Sequence, residues 1–169
     1  MTFIFYLMAL LSPSIYHKLA EPSPIAFYEY SYNKEASYRN EVNCLARIIF
    51  NESRGEPTKG KILVAQTTLN RVNSGKFQDS VCESMKAKGA YSFYNPRSKK
   101  VDKKRKYPVE YKHIAEKALN GEYSHLLSDR VLYFKNCGVQ NSFFNRLVMV
   151  KRVGAHCFFA EPKHLIAEI

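Results

Sequence analysis

The sequence lacks the features that mark several common classes of protein. Its four cysteines form no C-x-x-C pair and its five histidines show no metal-ligand spacing, so a zinc knuckle or redox motif is disfavoured and no cofactor is expected. The N-terminal apolar run has nine residues, against the roughly 20 that a membrane-spanning helix needs. Tryptophan is absent, so 12 tyrosines and 11 phenylalanines supply the aromatic surface.

Acidic residues are scarce: the chain has 15 of them against 26 lysines and arginines, for a formal charge of +11. This excess indicates an anionic partner, which could be nucleic acid, an anionic envelope polymer or a membrane surface, and charge alone does not choose among them. The densest basic run, residues 97–106, carries seven positive charges and lies between Pro96 and Pro108. It predicts an exposed loop or hairpin, which is either simply solvated or an electrostatic tether.

The N-terminus resembles an export signal. Residues 3–11 are all apolar and are followed by Ser12 and Pro13, which is typical of the core of a secretory signal. We therefore expect residues 1–20 to be a signal peptide or uncleaved export anchor, with the protein exported to the cell envelope or beyond and touching a membrane only through this segment. The alternative is a buried N-terminal segment of a cytosolic protein.

Whether the cysteines form disulfides depends on the compartment in which the protein folds. In an exported chain, Cys44, Cys82, Cys137 and Cys157 could form two disulfides in any of three pairings. In a reducing compartment, Cys44 and Cys157, both flanked by apolar residues, would be small core residues.

Beyond the leader we expect a linker over residues 21–40 and one domain over residues 41–169. The linker contains prolines and many tyrosines without a clear period. Further on, hydrophobic spacing predicts helices at 41–51, 58–73, 77–86 and 108–119, and strands at 91–94, 131–134, 147–150 and 156–159. A helix-rich front and a strand-rich back, without βαβ alternation, indicate an α+β fold.

The segment N-E-S-R-G-E at residues 51–56 is the strongest candidate site. Glu52 is expected at the end of a helix, with Gly55 just beyond it. Its carboxyl group would then lie between a cleft and the core. Burial of this kind raises the pKa of a carboxyl group, which suits a general acid near neutral pH. The alternative is a solvated helix terminus in which Arg54 and Glu56 pair in water.

Six blocks of sequence occur in one order: residues 45–56 with 64–72, then 77–82, 89–93, 118–121, 132–136 and 153–158. Together they resemble the SleB-type cell-wall hydrolases, which are lytic enzymes of spore cortex and of bacterial or phage origin. The resemblance covers about residues 42–159. The chain departs from the family at Ser53, where alanine is common, at Ala155, where asparagine is common, and in the basic run.

The resemblance implies a lysozyme-like catalytic domain that cuts the MurNAc-GlcNAc backbone of peptidoglycan, with Glu52 as the catalytic acid. A two-carboxylate glycosidase needs a second acid roughly 5–5.5 or 6.5–9.5 Å away. Glu56 is nearest in sequence, but Gly55 and Pro57 are expected to end the helix and disturb that spacing. The hypothesis is therefore a one-acid lytic transglycosylase, which takes a proton from the sugar's own 6-hydroxyl.

Other residues in the matching blocks are predicted to bind substrate: Glu56, Tyr91, Ser92, Phe93, Tyr133, Asn136 and His156. Structural roles are the alternative, such as core packing for Phe93 and a buried, hydrogen-bonded imidazole for His156. The expected partners are peptidoglycan glycan strands and, by charge, anionic wall polymers, with no specific nucleic acid.

Two other functions stay open. A basic nucleic-acid-binding protein or nuclease would show the same charge and aromatic content, although no recognisable nucleic-acid module is present. A non-catalytic wall-binding module could keep the same fold, but an intact Glu52 argues against it.

Overall fold

A computed structural model describes residues 24–94 and 107–162 of the chain. The predicted leader, residues 1–20, and the basic run, residues 97–106, lie outside these ranges. The chain divides into two compact units, residues 1–37 and 38–169. Within the described residues, no helix is both long and apolar enough to cross a bilayer.

Four α-helices and a small sheet make up the described structure. The helices are α1 (Pro24–Ser53), α2 (Thr58–Asn73), α3 (Val81–Lys86) and α4 (Val109–Leu119). The strands are β1 (Val131–Asn136), β2 (Val148–Val153) and β3 (His156–Ala160), and short 3-10 helices lie at Ser124–Leu126 and Ser142–Arg146. Helices followed by strands confirm the predicted α+β class.

The start of α1 corrects the prediction of an irregular linker at residues 21–40. The helix begins at Pro24, not at Glu41, because proline suits the first position of a helix and no glycine or proline follows before Ser53. The early turns show no apolar period because their described side chains, such as Tyr32 at 60% exposure, are largely in solvent.

Helix α2 has the predicted bounds and is buried along much of its length. Its core side includes Leu63 and Val64, and the hydroxyls of Thr67 and Thr68 donate to backbone oxygens one turn earlier, at 2.8 and 3.0 Å. These bonds pair both threonine hydroxyls inside the core. Gln66 and Asn70, one turn apart on the same helix, are also buried, and Gln66 Nε2 donates to Asn70 Oδ1 at 3.0 Å.

The start of α3 and the predicted strand at residues 91–94 also differ from the structure, and β2 extends three residues beyond its predicted end, to Val153. Helix α3 begins at Val81 instead of Phe77, because the Ser80 hydroxyl accepts a hydrogen bond from the Glu83 N–H and caps the helix. The predicted strand at residues 91–94 is a turn, closed by a 3.3 Å bond from the Tyr94 N–H to the Tyr91 carbonyl.

The sheet is antiparallel with strand order β1-β3-β2. Strand β3 is central and fully buried, and Phe158 from it joins Leu45, Ile49 and Leu63 in the core. The four cysteines form two disulfides, Cys44–Cys82 and Cys137–Cys157. The first ties α1 to α3, and the second ties the segment after β1 to β3.

Candidate active site around Glu52

Glu52 lies in the last turn of α1, where two neighbours bind back to the helix. Asn51 Nδ2 donates to the Arg47 carbonyl at 2.8 Å, and the Ser53 hydroxyl donates to the Ile49 carbonyl at 2.7 Å. The Glu52 side chain is half-buried, and its Oε1 atom has no hydrogen-bond partner among the described residues. Burial raises the pKa of Glu52 above its usual 4.5, and this effect exceeds the opposing pull of the Arg71 cation.

Arg71, from the last turn of α2, is the charged partner that sequence reasoning did not single out. Its Nε donates to the Leu132 carbonyl at 2.7 Å. Its guanidinium lies 5.5–5.7 Å from the ring centroids of Phe77, Tyr91 and Phe134. These contacts hold the Arg71 guanidinium in place, and its charge lowers the pKa of Glu52 in opposition to burial.

Tyr91, Ser92 and Phe93 form a turn on this side of the molecule. The Tyr91 hydroxyl shares a 3.0 Å hydrogen bond with the Thr68 hydroxyl, and its buried ring lies 5.8 Å from that of Phe93. Phe93 is half-buried, and Ser92 is exposed. The structure therefore places Tyr91 largely in the core and leaves Ser92 and Phe93 reachable from solvent.

Tyr133, on β1, is held by groups that sequence reasoning missed. Its hydroxyl donates to Glu161 Oε1 at 3.0 Å, and Lys76 Nζ lies 2.7 Å from Glu161 Oε2. The rings of Phe77 and Phe143 flank it at 6.2 and 5.2 Å. Burial, and then the bond to the Glu161 carboxylate, raise the pKa of Tyr133, so the phenol stays protonated near neutral pH.

Glu56 is directed at the turn between β2 and β3. Its Oε2 accepts a 3.0 Å hydrogen bond from the Ala155 N–H. His156 Nδ1 lies 3.3 Å from its Oε1, although the two atoms are not aligned for a hydrogen bond. The side chains of Glu56 and His156 are only 9% and 10% exposed. These contacts give Glu56 and His156 structural partners within the fold.

Asn136 and Arg54 lie at the surface. Asn136 ends β1, where its Oδ1 accepts a hydrogen bond from the Gly138 N–H at 2.9 Å and shapes the following turn. Arg54 is exposed beyond the end of α1.

The predicted site residues thus fall into two groups. Arg71 acts electrostatically on both Glu52 and Tyr133 and lies over the Tyr91 ring, so it connects these three with the adjoining Phe93 turn. Glu56, His156 and Asn136 make their contacts at the turns of the sheet. The His156 ring lies 5.6 Å from that of Phe134, which the Arg71 guanidinium also contacts. Across the described ranges, no three His, Cys, Asp or Glu side chains come together in a way that would hold a metal ion.

Comparison with known proteins gives consistent matches. A family described as Cell Wall Hydrolase matches residues 55–159. The chain is 42% identical over 43 residues to the spore cortex-lytic enzyme of Oceanobacillus iheyensis and 43% identical over 42 residues to that of Bacillus subtilis. Each match covers 25% of this chain but only 16% and 14% of those relatives, so the chain spans a small part of their length.

Two solved structures share the fold. The catalytic domain of the Bacillus cereus SleB protein is 24% identical, with a TM-score of 0.54 over 72% of this chain and 90% of that one. The catalytic domain of the germination-specific lytic transglycosylase SleB from Bacillus anthracis is also 24% identical, with a TM-score of 0.54 over 71% of this chain and 93% of that one. The likeness confirms the predicted lysozyme-like fold.

Proposed function

The chain belongs to the cell wall hydrolase family, and on that premise we propose that it cleaves the MurNAc-GlcNAc backbone of peptidoglycan with Glu52 as the proton donor. The proposed site of action is the cell envelope, reached by an export signal in residues 1–20. The family match favours this activity over nucleic-acid binding, which composition alone left open.

The main support for the proposal is the buried environment of the Glu52 carboxyl, which raises its pKa. Its Oε1 is buried and has no hydrogen-bond partner among the described residues, and burial raises its pKa. Such a group retains its proton closer to neutral pH than an exposed glutamate does, and breaking a glycosidic bond requires a proton on the leaving oxygen.

The surroundings of Glu56 support a mechanism with one acid. A second catalytic carboxylate would have to face the sugar, either as a nucleophile or as the base that activates water. Glu56 instead accepts a hydrogen bond from the Ala155 N–H and lies beside His156. We therefore assign Glu56 a structural role.

The proposed reaction balances with Glu52 alone. Glu52 donates its proton to the glycosidic oxygen as the bond to C1 of MurNAc breaks. The resulting carboxylate then accepts the proton of the 6-hydroxyl of the same sugar, whose oxygen bonds to C1 and closes a 1,6-anhydro ring. Arg71, which acts on Glu52 electrostatically, stabilises the carboxylate between the two steps.

Aromatic side chains are proposed to bind the glycan that Glu52 cleaves. Phe93 and Tyr133 are half-buried, so part of each ring is open to a sugar face, and exposed Ser92 offers a hydroxyl. The hydrogen bond between the Tyr91 and Thr68 hydroxyls holds the turn that carries Ser92 and Phe93. The net charge of +11 would hold the enzyme near anionic wall polymers.

Mass spectrometry of digested peptidoglycan tests this reaction. The proposal predicts muropeptides that end in 1,6-anhydro-MurNAc, which are 18 Da lighter than products of hydrolysis because no water is added. Products with reducing ends would instead show that water attacks C1, and would leave glycan cleavage standing while removing the anhydro mechanism. Intact glycan strands after incubation with the folded protein would remove the function itself.

A further inference from the structure

A group of exposed hydrophobic side chains lies on β2 and on the segment between β1 and β2. Five side chains there are 37–56% exposed although each is hydrophobic: Val139, Phe143, Val148, Met149 and Val150. We call these five residues the apolar patch. Single exposed hydrophobic residues are common, but a connected group of them marks an interaction surface.

Phe144 connects the members of the patch on the 3-10 helix with those on β2. Its ring lies 5.3 Å from that of Phe143 and 4.9 Å from that of Phe159. Phe159 is paired in register with Met149 on the neighbouring strand β2. Ring contacts therefore run from Phe143 to Phe159, and the strand register places Met149 opposite Phe159 on the edge strand.

Lys135 links the backbone of Val139 to the Phe144 ring. Its Nζ donates to the Val139 carbonyl at 2.6 Å and lies 5.5 Å from the Phe144 ring centroid. The disulfide Cys137–Cys157 ties the intervening segment to β3. The patch is thus held in place by covalent and polar contacts before any partner binds.

Basic side chains predominate around the patch, and the nearby Glu161 carboxylate is paired with Lys76. Residues 130–160 contain five basic side chains and no Asp or Glu: Arg130, Lys135, Arg146, Lys151 and Arg152. Arg146 and Arg152 are exposed, and the Arg146 guanidinium lies 5.4 Å from the Phe143 ring centroid. Apolar side chains flanked by cations complement a surface that is anionic outside and apolar within.

We propose that the apolar patch docks the protein on an anionic lipid membrane. Valine and methionine side chains offer no hydrogen bonds to sugars, so a glycan strand is a poor occupant. A second copy of the chain, placed symmetrically, would set like charges against each other. A bilayer with anionic headgroups satisfies both the aliphatic side chains and the cations. This site is separate from the predicted N-terminal anchor and does not depend on the proposed function.

The absence of tryptophan allows a direct test on the full-length, oxidised protein. Val150→Trp places the only indole of the chain in the patch, and Val109→Trp places it at a residue that is 81% exposed on α4. Both proteins are titrated with vesicles of phosphatidylcholine alone and of phosphatidylcholine with phosphatidylglycerol. We expect a blue shift of emission only for Val150→Trp with the anionic vesicles, and its loss at high salt.

A second pair of variants tests whether the patch supplies binding energy. In sedimentation with the anionic vesicles, Val150→Asp should bind at least about tenfold more weakly than Val109→Asp, since only the former places a charge at the lipid boundary. Circular dichroism checks that both are folded.

Several results would overturn the proposal. Equal blue shifts for the two tryptophan variants, or equal binding of the two aspartate variants, would assign membrane contact to another segment. Equal binding to neutral vesicles would remove the role of the cations. Analytical ultracentrifugation showing a dimer that Val150→Asp dissociates, with no vesicle binding, would assign the patch to self-association.

Discussion

Glu56 Oε2 accepts a 3.0 Å hydrogen bond from the backbone N–H of Ala155, a residue 99 positions later in the chain. The bond ties the loop between α1 and α2 to the turn between β2 and β3. Glu52, four residues before Glu56, belongs to the helix end that this bond holds in place. Two acids that are close in sequence therefore have different surroundings. Glu56 is directed into the fold, whereas the Glu52 side chain is partly exposed to solvent.

Replacement of Glu56 distinguishes a structural acid from a second catalytic one. Glu56→Gln keeps an oxygen for the Ala155 N–H, so we expect the folded variant to retain glycan-cleaving activity within about tenfold. Glu56→Ala removes the acceptor and should lower the free energy of unfolding by about 1.5–3 kcal/mol, typical of a hydrogen bond to a charged group. Denaturant unfolding and turbidity assays measure both. A loss of activity of a hundredfold or more in a stable Glu56→Gln protein would contradict the structural assignment.

Gly154 is required by the close approach of Glu56 to the turn. It has a φ of +56°, and a Cβ atom there would overlap Glu56 Oε2. Gly154→Ala should therefore lower the free energy of unfolding by about 2–4 kcal/mol, through strain and displacement of the carboxylate. Gly55→Ala is the matched control, because a Cβ at Gly55 meets nothing within 4 Å. Equal stability of the two variants would show that the Glu56 contact does not hold the turn.

The raised pKa of Glu52 predicts a stability change with a defined sign. Because the folded protein holds this proton more tightly than the unfolded chain, stability falls as the pH rises from about 4.5 through the folded pKa. Glu52→Gln removes the ionisation, so it should be more stable than the parent at neutral pH and show no such gain well below pH 4.5. Partial exposure of the Glu52 side chain to solvent limits the gain to on the order of 1 kcal/mol. Thermal unfolding across pH gives the comparison, and a gain that grows towards acid pH would contradict the assignment.

Arg71 is predicted to set the upper limit of the working pH. Its charge lowers the pKa of Glu52, so Arg71→Met should raise that pKa further and move the alkaline limb of the pH-activity profile upwards. Arg71→Lys keeps the positive charge and should leave the limb close to the parent's.

Both Arg71 variants lose the Nε bond to Leu132 and ring contacts, so both should be less stable. A purely structural role would lower stability in both without moving the limb in either. Identical alkaline limbs for the parent and Arg71→Met would therefore exclude the electrostatic role.

Local signals in the sequence were sufficient for part of the fold. The bounds of α2 follow from Pro57 before it and Gly75 after it, together with its apolar spacing. The predicted strand at residues 91–94 failed because alternating Tyr91 and Phe93 imitate a strand, whereas the Tyr91 ring is placed by a hydroxyl bond to Thr68 in α2.

Local sequence patterns also indicate only some of the residues of the candidate site. Glu52 could be proposed because a helix end, an acid and a glycine are adjacent in sequence. The importance of Arg71 could not, since its partner Leu132 lies 61 residues away and Phe134 further still. The direction of Glu56 depends on a turn 99 residues distant. Contacts of this length are set by packing of the whole domain and leave no local pattern.

The central claim, that Glu52 supplies the proton for glycan cleavage, is tested most directly by the rate at which Glu52→Gln solubilises purified peptidoglycan. Glu116→Gln, at an exposed position on α4, is the matched control, and thermal unfolding confirms that both variants are folded. We expect the control to clear sacculi at the parental rate and Glu52→Gln to be slower by a factor of ~10²–10⁴, the usual contribution of a general acid. Clearing by Glu52→Gln at the parental rate would contradict the account.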